Sequence, residues 1–168
     1  MFKKILGALA ALSFCAAPVS ARVDDNTVQL LELIQEGGIE LAIDDSECNR
    51  NQYAGMYLFN RAQRLMRICT GGYVDGFDHD TVRHEVWHAI QHCRAYYTTG
   101  RHTLLPVIVG NFDVYEDFII NTLPSKLIQE VMRTYPEDRW IIELEAFAVA
   151  QRYTASEMMM MFRKECMK

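Results

Sequence analysis

The eleven residues from Arg83 to Cys93, RHEVWHAIQHC, place His84 and His88 four apart with Glu85 beside the first. Residues at this spacing meet only in an α-helix, where positions i and i+4 lie one turn apart on one face. The pattern predicts a helix from about Thr81 to Tyr97, with Asp80 as its N-cap and Thr98-Thr99-Gly100 ending it. At about 100° per residue, Val86, Ile90, Cys93 and Tyr97 fall on an apolar face. Gln91 and Ala95 fall with the two histidines on the other.

Two imidazoles one turn apart can offer nitrogens to a single metal ion, with Glu85 beside the ion as a base for an activated water. A zinc ion held in this way needs a third protein ligand and one open position. The extension HExxHxxGxxH is excluded, because Gln91 and Arg94 stand where its glycine and last histidine belong. The ligand therefore comes from elsewhere, and the helical stretch Trp140–Tyr153 offers Glu143 and Glu145. Two residues apart on a helix, they point about 200° from each other, so only one faces the ion. Asp138, Glu145 and Arg152 recur every seven residues and read as a solvent-facing stripe. Glu143 lies beside Ala146 and Ala150, which permit close helix approach. Glu143 is preferred as the third ligand, with Glu145 as the alternative.

HEVWH followed by ELEAFA resembles the gluzincins, the HExxH zinc metallopeptidases whose third ligand is a glutamate on a later helix. Glu143 and Ala146 match the Glu and Ala of the E-x-x-A-D/N pattern found in several branches. The pattern departs at Phe147, where Asp or Asn supports a zinc histidine. In the other register, Glu145-Ala146-Phe147-Ala148 resembles the E-G-F-A of zinc aminopeptidases. With Gln91, the first motif also resembles the HExxHxxQ of small zincin-like domains. The resemblance rests on two short motifs. It implies a strand-plus-helix zincin core whose edge strand, here within Tyr53–Thr70, lines a substrate cleft.

The opening residues, MFKKILGALAALSFCAAPVSA, read as a secretory signal peptide of residues 1–21: Lys3 and Lys4, an apolar run, then Val19-Ser20-Ala21. The expectation is a secreted or periplasmic protein with one zincin-like domain over 22–168. Removing the signal takes two lysines and no acid from a chain at formal charge −5. An acidic domain disfavours nucleic acid and anionic membranes as partners. No stretch past the signal is long and apolar enough to span a bilayer. Cys48, Cys69, Cys93 and Cys166 remain, and in an exported chain they suggest two disulfides from three connectivities. Cys48–Cys69 and Cys93–Cys166 are the pairs expected here.

Elsewhere, Thr27–Glu36 reads as a helix ended by Gly37-Gly38, and Ile39–Ile43 as a strand. Tyr53–Asn60 and Arg64–Thr70 read as a hairpin, and Gly71–Asp80 as a loop. Residues 104–109 are strand or core loop. Four helices follow, at Phe112–Thr122, Ser125–Thr134, Glu137–Tyr153 and Ala155–Cys166, with Thr154 and Glu157 as a capping box before the last. Met158–Met161 and the two tryptophans read as packing. His92 reads as exposed and able to contact substrate, and His79 and His102 as surface. Tyr96, Tyr97 and Tyr153 are core aromatics or oxyanion donors.

The fold expected is α+β: short antiparallel strands, a central HExxH helix, then a helical C-terminal part. The expected function is zinc-dependent hydrolysis of a peptide or protein substrate with Glu85 as general base. The alternatives are a non-catalytic zinc-binding interaction domain and a disulfide-stabilised structural protein without metal.

Overall fold

The computed structural model describes residues 25–48, 54–69, 79–108 and 112–168. The signal-peptide reading of residues 1–21 and the glycine- and aspartate-rich stretch 71–78 lie outside them. The fold is α+β, with helices α1 (Asp25–Glu36), α2 (His79–Thr99), α3 (Phe112–Thr122), α4 (Ser125–Thr134), α5 (Trp140–Arg152) and α6 (Ala155–Cys166). The strands are β1 (Glu40–Ile43), β2 (Gly55–Phe59) and β3 (Arg64–Ile68).

Local chemistry explains most boundaries. Gly38 ends α1 at φ +77°, a left-handed conformation that glycine adopts without strain. The expected hairpin forms. Asn60 turns it by accepting from the backbone N–H groups of Ala62 and Gln63 at 2.7 and 2.9 Å. The capping box at Thr154 and Glu157 starts α6. Asp80 is not an N-cap: α2 begins at His79, and Asp80 pairs with Arg83 inside the first turn. Residues 104–108 form a loop without strand pairing.

Strand order is β1-β3-β2. β2 and β3 pair antiparallel, Tyr57 opposite Met66, as the hairpin demands. β1 departs from the antiparallel expectation and runs parallel to β3. The hairpin brings β3 back in the direction of β1, and β2 is left on the outer edge, against α2.

That placement makes α2 the centre of the molecule. It packs on α5, α6 and β2, and every residue from His84 to Cys93 is buried. The two-faced helix read from the sequence is therefore enclosed on both faces. Val86, Ile90 and Cys93 sit in the main core with Leu30, Ile34, Met66, Met158 and Phe162. Tyr97 does not: it is exposed near the helix end. Ala146 and Ala150 are buried on α5, and their small side chains permit the close α2–α5 approach. Ile119, Leu123, Val131 and Leu144 form a second cluster among α3, α4 and α5.

Cys48, in the turn after β1, bonds Cys69 just past the end of β3, and Cys93 bonds Cys166, tying the end of α6 to α2. The second bond closes a sequence separation of 73 residues. Replacing both Cys93 and Cys166 by Ser should cost about 2–5 kcal/mol. A urea titration would register this as a lower midpoint, and an unmoved midpoint would mean that packing alone anchors α6.

Candidate metal centre

One turn of α2 presents His84 and His88, and the first turn of α5 presents Glu143 to the same point. Their ligand atoms lie within 4.8 Å of one another and all three side chains are buried. The two Nε2 atoms are 3.0 Å apart. Glu143 Oε2 lies 3.5 Å from His84 Nε2 and 3.3 Å from His88 Nε2. Ligands bound tetrahedrally at 2.0–2.1 Å are separated by about 3.3 Å. The donor set thus fits a single ion, and the group could hold a metal.

Electrostatics favour a cation here. Burial pushes His84 down to about 4 against the opposing pull of Glu143. Burial also works to raise Glu143, but hydrogen bonds from His84 and His88 prevail and hold it well below the usual carboxylate range. At His88 burial is likewise outweighed, by Glu143 and Glu85, and the net direction is upward. A buried carboxylate between two imidazoles calls for a positive charge, which a proton or a metal ion can provide.

The surroundings aim these groups. Gln91 Oε1 is 2.8 Å from His88 Nδ1. With Nδ1 as donor, the lone pair of Nε2 faces the cluster. Gln91 Nε2 donates to Glu145 Oε2 at 2.8 Å and to Ile142 O at 3.1 Å. Arg139 Nη2 donates to Glu143 Oε1 at 3.3 Å, leaving Oε2 toward the histidines. His84 differs: its Nδ1 is buried without a hydrogen-bond partner, and Phe147 packs on the ring with centroids 4.3 Å apart. Where the resemblance leads one to expect an acceptor, this chain has an apolar ring.

The two glutamates have separate roles. Glu145 is not on a solvent-facing stripe: it is 0% exposed. It accepts from Trp87 Nε1 at 3.0 Å, Gln91 Nε2 at 2.8 Å, and the backbone N–H groups of Val107 and Ile108 at 2.9 and 2.6 Å. Those bonds point it away from the metal cluster. The seven-residue stripe misled because Asp138 lies in a 3₁₀ turn, Glu137–Arg139, before α5 begins. The loop 104–108 also covers the face that the pattern left open.

A cleft of about 500 Å³ opens beside the cluster, lined by Gly55, Thr81, His84, Glu85, Tyr135 and Phe147 among others. Glu85 accepts from the backbone N–H of Tyr57, and burial pushes its carboxyl up to about 7. Gly55 is needed at the edge strand, since a Cβ there would lie 2.7 Å from Glu85 Cγ and Thr81 Cγ2.

Tyr135 is the phenol that lines this cleft. Sequence reasoning passed over it because it belongs to no helical period. The Tyr135-Pro136 break just before the ligand helix is the signal that could have found it. Its backbone caps α4 and accepts from Trp140 Nε1 at 2.8 Å. Burial, followed by the negative charges of Glu143 and Glu85, pushes its hydroxyl up to about 12. Tyr96 and Tyr97 instead lie exposed near the other end of α2, and Tyr153 packs edge-on against Trp87 with centroids 6.0 Å apart. His92 is buried, contrary to expectation, and His79 bonds Thr27 Oγ1 at 3.0 Å; His102 is exposed.

Comparison with protein families, characterised proteins and solved structures returns no match to this chain. No helix among the described residues is long and apolar enough to cross a membrane.

Removing the Glu145 carboxylate strands the Trp87 indole N–H and the backbone N–H groups of Val107 and Ile108. Glu145→Ala should cost about 3 kcal/mol or more, read as a lower urea midpoint in chelator. Glu143→Ala strands none of those donors and should cost less. Equal losses would contradict the division of roles.

Proposed function

We propose that this protein is an exported zinc-dependent peptidase. His84, His88 and Glu143 hold the ion, and Glu85 is the general base. The observation that supports it best is the convergence of two imidazoles and a carboxylate, at separations suited to one tetrahedral ion, at the wall of a cleft that Glu85 also lines. Among metals, a compact set of two nitrogens and one oxygen suits zinc.

A bound zinc ion supplies the Lewis acidity that activates water and polarises a carbonyl. Glu85 takes the proton of the attacking water and passes it to the leaving amine, so the carboxylate ends the cycle as it began. Tyr135, kept protonated by its surroundings, donates to the substrate oxygen on which charge grows. The β2 edge beside Gly55 bounds the cleft in which an extended peptide lies. The N-terminal signal pattern and the two disulfides support a secreted or periplasmic location.

A second reading, a zinc-binding interaction domain without catalysis, is favoured by one observation. His84 Nδ1 has no acceptor, whereas metal-bound histidines ordinarily donate that N–H to one.

Metal analysis of the exported protein should find about one zinc per chain. His84→Ala, His88→Ala and Glu143→Ala should each lose it. Glu85→Gln should keep zinc while peptide hydrolysis falls by about 10²–10⁴-fold. Zinc without hydrolysis in the parent protein would favour the interaction domain. A folded protein without zinc would leave a disulfide-stabilised structural role. Tyr135→Phe should lower kcat by about 10²-fold with KM nearly unchanged, and an unaltered kcat would remove the phenol from the mechanism.

A further inference from the structure

The α2 stripe that faces β2 continues past the metal centre. Thr81 and Glu85 meet Gly55, and His92 meets Tyr57 and Phe59. At 1.5 Å per residue, His92 lies about 10 Å along the axis from Glu85. A second cavity, of about 280 Å³, opens there between α2 and the β2–β3 turn.

Its chemistry differs from that of the first. Arg61, Arg64, His92 and His102 line it, together with Asn60 and Gln63. None of the described residues lining it is Asp or Glu, although the chain carries a formal charge of −5. Glu40 reaches Gln63 Nε2 at 2.8 Å but is not part of the lining.

These groups are held in place. Arg64 donates to the Gly37 carbonyl and to Cys93 Sγ, two uses of a guanidinium that carries five N–H donors. His92 is buried, its Nδ1 3.0 Å from the Tyr57 hydroxyl and its Nε2 3.2 Å from His102 Nδ1. Phe59 stacks on His92 at 4.1 Å, and Tyr96 lies against His102 at 5.0 Å. Burial, then the charges of His102 and Arg64, hold His92 down to about 4. Two arginines beside one cavity, with no carboxylate among its described lining residues, are relieved by an anion.

We propose that this cavity binds a small oxyanion, a carboxylate or phosphate group, through Arg61, Arg64 and His102, with His92 holding His102 in place. Its volume lies just below the usual range for ligand sites, so it suits one anionic group rather than a nucleotide. The group comes from a free anion or from an acidic peptide. No ligand of the metal cluster lines this cavity, so the proposal stands apart from the zinc chemistry.

The test is a titration of the full exported protein with inorganic phosphate, followed by NMR of the histidine rings, in zinc-loaded and chelated samples. Saturable shifts of His92 and His102 are expected in both samples, with the His92 titration midpoint raised by bound phosphate. Arg61→Ala combined with His102→Ala should weaken binding by about tenfold or more, and Arg61→Ala alone, at an exposed side chain, should weaken binding with the urea midpoint unmoved. No saturable shift by about 50 mM phosphate would overturn the site, as would shifts unchanged in the double variant or confined to the zinc-loaded sample. Competition by an acidic tetrapeptide but not by its amidated, glutamine-substituted counterpart would support a peptide-borne carboxylate. Phosphate binding with neither peptide competing would support a free anion.

Discussion

A carboxylate that never touches the metal cluster holds this fold in register. Glu145 accepts hydrogen bonds from α2 through Trp87 and Gln91 and from the loop after α2 through Val107 and Ile108. A buried carboxylate with its donors satisfied fixes the relative position of the elements that supply them. Gln91 passes that order on, because the amide that donates to Glu145 also orients His88. The close α2–α5 approach, the aim of His88 and the placement of Glu143 follow from this network.

The candidate metal-binding group depends on that scaffold more than on α2 alone. His84 and His88 are one turn apart by helix geometry, but they form a ligand set only where α5 lies close enough to bring Glu143 within 3.5 Å. Buried alanines on α5 make the approach possible, and Arg139 turns the carboxylate. On the other side, β2 packs against the same helix, and Gly55 leaves room for Glu85. One helix stripe thus borders two cavities of different character, one beside the His84–His88–Glu143 group and Glu85, and one lined by arginine and histidine.

Much of this was legible residue by residue. The placing of His84 and His88 on one turn and all six helices follow from spacing and capping chemistry, with boundaries close to those observed, and the expected disulfide pairs are the ones that form. What was misread has a common cause. His92 and Glu145 are polar residues that the sequence alone assigns to solvent, and both are buried with partners distant in the chain: Tyr57, Trp87, Val107 and Ile108. Tyr135 was missed because it lies at a helix end, where no period marks it.

The sequence by itself determined which groups share a turn of helix and where helices start and stop, because capping, side-chain volume and the 3.6-residue period are local properties. It also carried the cysteines that tie α6 to α2. Only the tertiary structure decided which glutamate meets the histidines, which strand lies on the outer edge and which polar side chains leave water. Those outcomes depend on how α2, α5, β2 and the loop 104–108 pack together, and a buried polar group is stable only where that packing brings it a partner.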